Sequence, residues 1–330
     1  MQDKYGRLID YVRISITDRC NLRCVYCMPE SGVVSVPHSR ILTYYEIQRL
    51  CTIFSKLGVR KIKLTGGEPL VRKNVSSLIQ GIYEIEGIEE VTLTTNGILL
   101  KEQAEALVNA GIRAVNISLD TMSPEKYTKI TRGGDIQKVL EGIKALLKYP
   151  EVRIKINCVP NEISDKEVIE VASLAQKYPV HVRFIELMPI GSGKELVYQE
   201  QNEYNQEYRI RQLLEKAYGS ITPYTEVLGN GPSQYCSLPG FQGKIGFISA
   251  MSHKFCHKCN RVRLTAEGYL KTCLQYEVGV DLFSLLRNES SDEVIEQAII
   301  EAIEKKPKAH EFHDQKIEHG EVKSMSQIGG

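Results

Sequence analysis

Six short segments that resemble β-strands alternate with amphipathic helical patterns between residues 9 and 188. The segments are IDYVRISIT, VRKIKLT, VTLTT, AVNISLD, VRIKINCV and VRFIELM. Strands separated by helices pair in parallel through right-handed crossovers. The helical pattern KEQAEALVNAG also ends at Gly111, a residue that typically terminates helices. This order restricts the region to an α/β sheet or barrel.

Apolar and polar residues alternate along these strands. The first strand places Val12 and Ile14 on one face and Arg13 and Ser15 on the other. Parallel strands covered on both faces normally read as continuous apolar runs. The apolar face must meet the helices, so the polar face lines a barrel that is wider or less complete than a filled eight-stranded one. An antiparallel sheet with one face in water would also alternate, but the strand–helix order opposes it.

The predicted interior is basic, although the whole chain carries a formal net charge of only +1. The inward positions include Arg13, Lys61, Lys63, Arg153 and Lys155. An anionic small molecule is the natural occupant of such a space. The near-neutral total argues against nucleic acid or a membrane surface as the main partner. No apolar run resembles a signal peptide or a membrane span, which predicts a soluble, intracellular protein.

We predict an α/β fold, a partial (βα)6 barrel of the TIM type whose open side is closed by a smaller C-terminal domain. The expected bounds are 1–218 for the barrel and 219–330 for the second domain, which the punctuations GNGPS and LPGFQG indicate. The segment IGSGKELVYQEQNEY is expected to be a long loop and a candidate lid, followed by a helix at about 205–218.

Three cysteines follow the first strand in the pattern C-x3-C-x2-C, at Cys20, Cys24 and Cys27. Three thiolates suit an iron–sulfur cluster that keeps one iron open to an outside ligand. A zinc site completed by a distant fourth ligand is the alternative. The chain has nine cysteines, an odd number that favours a reducing compartment. No function is assigned to the three isolated cysteines, Cys51, Cys158 and Cys236.

A second group of three cysteines lies in the C-terminal region, at Cys256, Cys259 and Cys273. A zinc ribbon would need a fourth ligand, which His253 or His257 could supply. With one iron–sulfur triad already indicated, a second cluster with an open iron is the preferred interpretation.

Two further features accompany the second triad. Arg261 and Arg263 have an x-R-x-R spacing that aims both guanidinium groups to one side of an extended segment, a geometry suited to phosphate. Two surface arginines are otherwise usually solvated. The chain ends in Gly329–Gly330. Chain ends commonly fray, yet residues without side chains can enter a narrow site.

The first triad, with Tyr26 before its last cysteine, resembles the radical S-adenosylmethionine superfamily. TGGEP at residues 65–69 resembles its second signature, and Gly66 and Gly67 there would let the backbone approach a ligand closely. The resemblance implies that the open iron binds S-adenosylmethionine. Reductive cleavage would then release a 5′-deoxyadenosyl radical.

The chain as a whole resembles the GTP 3′,8-cyclase family of molybdenum-cofactor biosynthesis. The resemblance rests on RISITDRCNLRCVYCMPE, KLTGGEPLVR, TTNG, NISLD, IELMPIG, HKFCHKCNRVRLTAEGYLKTCL and SMSQIGG. It implies two [4Fe-4S] clusters, held by Cys20, Cys24 and Cys27 and by Cys256, Cys259 and Cys273. Implied contacts to S-adenosylmethionine are Tyr26, Gly67, Ser118 and Met188. Implied contacts to the substrate are Arg13, Lys63, Thr94, Lys155, Arg261 and Arg263, with catalytic roles for Arg261, Arg263, Gly329 and Gly330.

The resemblance also implies the reaction. The radical would take hydrogen from C3′ of GTP, C3′ would bond to C8 of the guanine, and reduction would give 3′,8-cyclo-7,8-dihydro-GTP. Implied partners are GTP, cyclic pyranopterin monophosphate synthase as the next enzyme, and a reduced flavodoxin or ferredoxin as electron donor. A cytoplasmic homodimer is compatible with it. The family often has arginine where Lys63 stands, and lysine keeps the charge but lacks the planar fork.

Two other functions are carried alongside this one. A radical S-adenosylmethionine peptide-modifying maturase would also have an auxiliary cluster, but generally with more cysteines in the C-terminal region. A non-catalytic binding module with zinc at both triads belongs to a different class.

Overall fold

The computed structural model describes residues 1–161, 163–199, 206–312 and 320–329. In that part of the chain the strands are β1 Tyr11–Ser15, β2 Lys61–Thr65, β3 Glu90–Thr95, β4 Ala114–Ser118, β5 Arg153–Cys158, β6 Val180–Ile185, β7 Thr222–Tyr224, β8 Gln234–Ser237, β9 Ile245–Ile248, β10 Arg261–Leu264, β11 Tyr269–Lys271 and β12 Gly279–Asp281.

The α-helices of the same residues are α1 Tyr44–Lys56, α2 Val75–Tyr83, α3 Leu100–Asn109, α4 Pro124–Thr131, α5 Ile136–Leu146, α6 Asp165–Lys177, α7 Gly193–Gln199, α8 Gln206–Tyr218, α9 Leu282–Arg287, α10 Asp292–Glu304 and α11 Met325–Ile328. Short 3-10 turns lie at His38–Arg40, Pro69–Val71 and Cys256–Lys258. No helix among these residues combines the length and apolar character needed to cross a membrane.

Strands β1 to β6 follow one another across the sheet in chain order, and all five pairs are parallel. At least one helix connects each strand to the next. This confirms the predicted (βα)6 half of the molecule, and the antiparallel alternative is wrong for these strands.

The alternation of the strands separates a core from a cavity wall. Val12 and Ile14 of β1 are fully buried in the apolar core with the helices. Arg13 of β1 and Lys63 of β2 are register partners, and both line the interior. Side chains of one strand point alternately to the two faces, so the pattern read from sequence sets which residues face inward.

Local sequence signals define the helix boundaries. Thr43 and Glu46 form a capping box at the start of α1, as Ser164 and Glu167 do for α6. Gly111, predicted to end a helix, follows α3 with a φ of +103°. That backbone region favours a residue without a Cβ.

The C-terminal strands extend both edges of the barrel sheet. β10 pairs in parallel with β1, and β9 pairs in parallel with β6. Beyond them, β11 and β12 on one side and β8 and β7 on the other pair antiparallel. The fold is therefore the predicted partial barrel, completed by a C-terminal region with antiparallel strands.

Two segments differ from the sequence expectation. The predicted loop at 190–204 contains the helix α7, and residues 200–204 lie outside the described part. The helix expected at 205–218 is confirmed as α8. The polar C-terminal stretch, for which no structure was predicted, forms α11 near its end, and Gly320 bridges to Tyr276.

Candidate active site

A cavity of about 320 Å³ lies inside the barrel. This volume is within the range of small-molecule sites. Its wall includes all six cysteines of the two triads, Cys20, Cys24, Cys27, Cys256, Cys259 and Cys273. The two sulfur-rich segments, 229 positions apart in sequence from Cys27 to Cys256, therefore face one space, as the sequence hypothesis requires.

The first triad is held in a turn after β1. Cys27 and Met28 donate main-chain hydrogen bonds to the Cys24 oxygen, at 2.9 and 3.2 Å. Burial raises the pKa of all three thiols, that of Cys27 to about 12, and the neighbouring cysteines add to this for Cys24 and Cys27. Thiols in this state give up their protons when a metal binds.

The glycines of TGGEP allow two loops to pack together. A Cβ at Gly66 would lie 2.5 Å from the main-chain oxygen of Thr17, and one at Gly67 would overlap the oxygen of Arg19. Gly67 also donates a 2.7 Å hydrogen bond to Thr17. Both glycines line the cavity. Their close approach in this structure is thus to the segment that leads into the first triad.

Two buried carboxylates beside the first triad were not predicted from sequence. Glu68 accepts hydrogen bonds from Leu70 N, Thr95 Oγ1 and Asn96 N at 3.0, 2.7 and 2.6 Å. Burial raises its pKa to about 7. Glu68 is the glutamate of the GGEP motif, which was interpreted only through its glycines. The presence of an acidic residue in that motif was the sequence signal that could have identified it.

The second carboxylate, Asp120, positions Tyr26. Its Oδ2 accepts a 2.7 Å hydrogen bond from the Tyr26 hydroxyl, and its Oδ1 accepts one of 2.8 Å from Val159 N. Burial raises the pKa of Asp120 to about 6, although these two hydrogen bonds oppose the shift. Asp120 ends the quoted motif NISLD, but its partner Tyr26 is 94 residues away.

The second triad is split between a 3-10 turn and the end of β11. Cys259 donates a 3.1 Å hydrogen bond to the Cys256 oxygen, and the main-chain N–H of His310 donates to the Cys256 sulfur at 3.5 Å. Burial raises the pKa of Cys259, but the cations of Lys306 and Arg261 outweigh it, so that the pKa is lowered. This environment favours a thiolate ligand.

The two histidines of the zinc alternative lie away from the cavity. His253 and His257 do not line the cavity, and the His253 side chain is 67% exposed. No three His, Cys, Asp or Glu side chains in the described ranges converge as they would around a single ion. A cluster whose thiolates each bind a different iron does not require such convergence.

The cavity wall carries a strong excess of positive charge. Arg13, Lys63 and Arg263 have lowered pKa values, because burial and repulsion from neighbouring cations disfavour their charged forms. Arg183 also lines the cavity, and its guanidinium donates to Asn157 Oδ1. It was not singled out from sequence, although it alternates with the apolar Val182 and Phe184 along β6. Such a wall is suited to a polyanion.

Most of the residues implied by the resemblance line this cavity: Tyr26, Gly67, Ser118, Met188, Arg13, Lys63, Thr94, Arg261 and Arg263. Lys155 does not, and neither do Lys61 and Arg153, which were also predicted to face the interior and instead pair with Asp10 and Glu90. Lys155 Nζ donates to the main-chain oxygen of Leu228, and Gly229 lies directly against it, while burial and nearby arginines lower the pKa of Lys155 to about 7.

The C-terminal tail reaches the cavity. Arg263 Nη1 donates a hydrogen bond to the oxygen of Gly329. A Cβ at Gly329 would lie 3.0 Å from Thr65 Cγ2 and 3.2 Å from Ser15 Cβ. Gly330 lies outside the described residues.

Two family descriptions match the chain. Residues 14–175 match the Radical SAM superfamily, and residues 180–312 match Molybdenum Cofactor Synthesis C. Solved structures of SuiB from Streptococcus suis share the fold. One, bound to S-adenosylmethionine, has a TM-score of 0.59 at 14% identity, covering 90% of this chain and 68% of that one. Another has a TM-score of 0.60 at 15% identity, covering 92% and 69%.

Curated relatives match over the whole length. The GTP 3′,8-cyclase of Syntrophomonas wolfei is 48% identical over 331 residues, and those of Clostridium perfringens (strain SM101) and Pelotomaculum thermopropionicum are each 44% identical. Each match covers 100% of both chains. With this similarity and this cavity, the chain belongs to the GTP 3′,8-cyclase family of the radical S-adenosylmethionine superfamily.

Proposed function

We propose that the chain converts GTP into (8S)-3′,8-cyclo-7,8-dihydroguanosine 5′-triphosphate in molybdenum-cofactor biosynthesis. The observation that carries the proposal is the single cavity, lined by two cysteine triads and by a group of buried cations. The full-length similarity to GTP 3′,8-cyclases supports the same reaction.

The donor sets fit two [4Fe-4S] clusters, one at Cys20, Cys24 and Cys27 and one at Cys256, Cys259 and Cys273. Each set offers three thiols, so that one iron of each cluster would have no protein thiolate. When bound with S-adenosylmethionine, the first cluster supplies the one-electron chemistry that generates a carbon radical. The protein's task is then to bind, orient and shield the reactants.

Residues near the first triad would bind S-adenosylmethionine. Tyr26, Gly67, Ser118 and Met188 lie on the cavity wall at the loop after β1 and the carboxyl ends of the strands, where sites in barrels of this type are built. The hydrogen bond from Tyr26 to Asp120 fixes its ring orientation. On this proposal the cofactor and the substrate would occupy adjacent places in one cavity, because their proposed contacts share its wall.

The cations would hold the triphosphate. Arg13, Lys63, Arg261 and Arg263 present their charges in a buried space, where electrostatic attraction is stronger than in water. Thr94, on the same wall, offers a hydroxyl for the substrate. Lys155 lies outside the cavity lining and donates to Leu228 O, so it would have to reorient to reach the triphosphate.

The tail would complete the site. Gly329 sits between Arg263 and the residues Ser15 and Thr65, so the tail narrows the cavity and excludes water. We assign Arg261, Arg263 and Gly329 to catalysis on this basis and on the family pattern, and Gly330, which lies outside the described residues, on the family pattern alone. We retain 1–218 and 219–330 as the two functional regions, since each supplies one triad.

Further proposals concern partners. A reduced flavodoxin or ferredoxin would deliver electrons, and cyclic pyranopterin monophosphate synthase would consume the product. The chain would act in the cytoplasm, and a homodimer is the proposed assembly.

The test is anaerobic incubation of the reconstituted protein with S-adenosylmethionine, GTP and dithionite, followed by mass analysis of the nucleotide. The expected result is an isomer of GTP with the 3′,8 bond, together with 5′-deoxyadenosine. Unchanged GTP with no measurable GTP binding would overturn the proposal and favour a peptide-modifying enzyme. Zinc without iron in the purified protein would favour a binding module.

A further inference from the structure

The C-terminal tail, residues 320–329, enters the cavity past one buried ion pair. Lys271 Nζ donates to Glu321 Oε2, and the two side chains are 3% and 2% exposed. The pair joins the last residue of β11 to the tail, across 50 positions of sequence. Neither residue was singled out by sequence, and neither has a role in the function proposed above.

Each polar group of Glu321 forms a hydrogen bond. Its Oε1 accepts a hydrogen bond from Lys323 N at 2.7 Å, its N–H donates to Gln275 O at 2.6 Å, and its main-chain oxygen accepts one from Lys194 Nζ at 3.1 Å. Lys194 belongs to α7 and Lys271 to β11, so the residue is fixed from two separate parts of the fold. A shift of the tail by one residue would separate Glu321 from Lys271 and leave a buried charge without its partner, which is strongly destabilising.

The tail beyond Glu321 touches both halves of the site. Ser324 packs so closely on Gly191 that a Cβ there would lie 2.9 Å from its Cα. The main chain of Ser326 lies next to the Cys27 thiol, and Ile328 is buried beside Ile190. Gly329 then meets Arg263. The tail therefore runs from the ion pair past the first triad to the cationic wall.

The register of the tail matters because its residues are not interchangeable. Glycine is strongly favoured beside Thr65 and Ser15, because the backbone there has a φ of +80° and a Cβ would lie 3.0 and 3.2 Å from side-chain carbons. A slip by one residue would bring Ile328 to that place and remove its side chain from its apolar contacts. We infer that the Lys271–Glu321 ion pair is a positioning element, which fixes the register of the tail so that Gly329 reaches Arg263. The inference rests on the proposed function and specifies how its site is assembled.

The alternative is that Lys271 contacts the substrate directly, since it also lines the cavity. Its ammonium group already has two partners, Glu321 and the oxygen of Tyr276 at 2.9 Å. The two roles predict different results for Glu321→Gln, which removes the charge of the tail but leaves Lys271 in place.

The experiment uses the full-length, anaerobically reconstituted protein and two readouts, amide hydrogen exchange of the tail and the split between cofactor cleavage and GTP cyclisation. For Glu321→Gln and Lys271→Met we expect tail exchange to rise about tenfold or more and cyclisation to fall by a similar factor, with 5′-deoxyadenosine still formed. The reversed pair, Lys271→Glu with Glu321→Lys, should recover part of both. Glu321→Asp serves in the same way, in milder form, where Glu321→Gln does not fold.

The partly exposed pair between Lys323 and Glu267 is the matched control. It ties the same tail to the turn between β10 and β11 at 3.0 Å, with side chains 40% and 28% exposed. Lys323→Met should leave both readouts within about twofold of the wild type, because ion pairs that solvent reaches contribute little.

Unchanged tail exchange in Glu321→Gln or its Asp substitute would overturn the inference, as would a raised KM for GTP confined to Lys271→Met. Failure of the proposed function is distinct: the wild type would then not cyclise GTP, while the exchange of its tail could still be measured.

Discussion

Arg263 donates a hydrogen bond from its Nη1 to the main-chain oxygen of Gly329, and so ties the strand next to β1 to the end of the chain. Gly329 has a φ of +80°, in the region that side chains disfavour. The contact brings the cationic wall and the tail together at one point. The two features were recognised separately in the sequence.

Gly329→Ala should therefore disrupt cyclisation. The added methyl group meets Thr65 and Ser15, and the backbone strain costs roughly 1–3 kcal/mol. We expect a five- to hundredfold loss of cyclised product, estimated roughly from that energy, with cleavage of S-adenosylmethionine retained. Both products are measured in one anaerobic assay. Gly240→Ala is the control. It introduces similar backbone strain, at φ +75°, but no atom lies within 4 Å of the added Cβ, so it should leave cyclisation intact.

Tyr26→Phe should weaken binding of S-adenosylmethionine. The change removes the hydrogen bond to Asp120 and leaves a buried carboxylate with one donor fewer. A loss of about 1–2 kcal/mol, roughly five- to thirtyfold in the dissociation constant, is expected. Equilibrium binding to the reconstituted protein measures it.

Tyr127→Phe is the matched control for this substitution. Its buried hydroxyl has no hydrogen-bond partner among the described residues, so its removal should leave the affinity unchanged. Equal losses in both variants would contradict the positioning role of Asp120.

GTP binding should weaken as the pH rises. The loss should begin at a lower pH than it would for a lysine with an ordinary pKa. Burial and then the nearby cations hold the pKa of Lys63 well below 10.5, so in the free protein Lys63 becomes neutral as the pH rises. Binding a triphosphate requires the charged form, and each pH unit above that pKa then costs up to about tenfold in affinity. Lys63→Arg should retain affinity to higher pH, because guanidinium stays charged.

GTP titrations of the wild type and of Lys63→Arg from about pH 6 to about pH 10 provide the measurement. Identical pH profiles would remove Lys63 from the triphosphate site. Lys155→Arg is a second comparison, since the pKa of Lys155 is about 7 and its ammonium is taken by Leu228.

Stability should fall at acid pH through His181. Burial, and then the cations of Lys155 and Arg153, lower its pKa to about 4, and its Nδ1 accepts a 3.1 Å hydrogen bond from Lys244 N. The folded protein therefore binds fewer protons than the unfolded chain between about pH 6.5 and 4. The stabilising contribution is present above pH 6.5 and is lost as the pH falls through that window.

Anaerobic denaturant titrations test this. His181→Gln should show a smaller fall in unfolding free energy over the same window, whatever its absolute stability. His253→Gln, at a side chain 67% exposed, should keep the wild-type slope. A wild-type slope in His181→Gln would refute the assignment.

Substitution in either triad should remove one cluster and spare the other. Cys24→Ser and Cys273→Ser should each lower the iron content by about four per chain. Iron analysis and the absorbance of the brown protein measure the loss. Cys51→Ala, in the fully buried apolar core, should lose stability but retain its iron. Loss of all iron from each single variant would indicate that the clusters do not assemble independently.

The sequence alone determined the strands, the helices between them and which residues of a strand share a face, because these depend on local periodicity. Alternation in β1 placed Arg13 inside and Val12 in the core. It also predicted iron–sulfur chemistry for the two triads, since the number and spacing of cysteines are properties of a short segment. The glycine after α3 was predictable for the same reason.

The tertiary structure decided which of these residues meet. The ion pair of Lys271 with Glu321 joins positions 50 residues apart. The hydrogen bond of Tyr26 to Asp120 spans 94 residues, and that of Lys155 to Leu228 spans 73. Burial in the tertiary structure also shifted pKa values: it raises the pKa of Asp120 and lowers that of Lys63. No local pattern carries this information, because long-range contacts and desolvation arise only when distant segments are packed together.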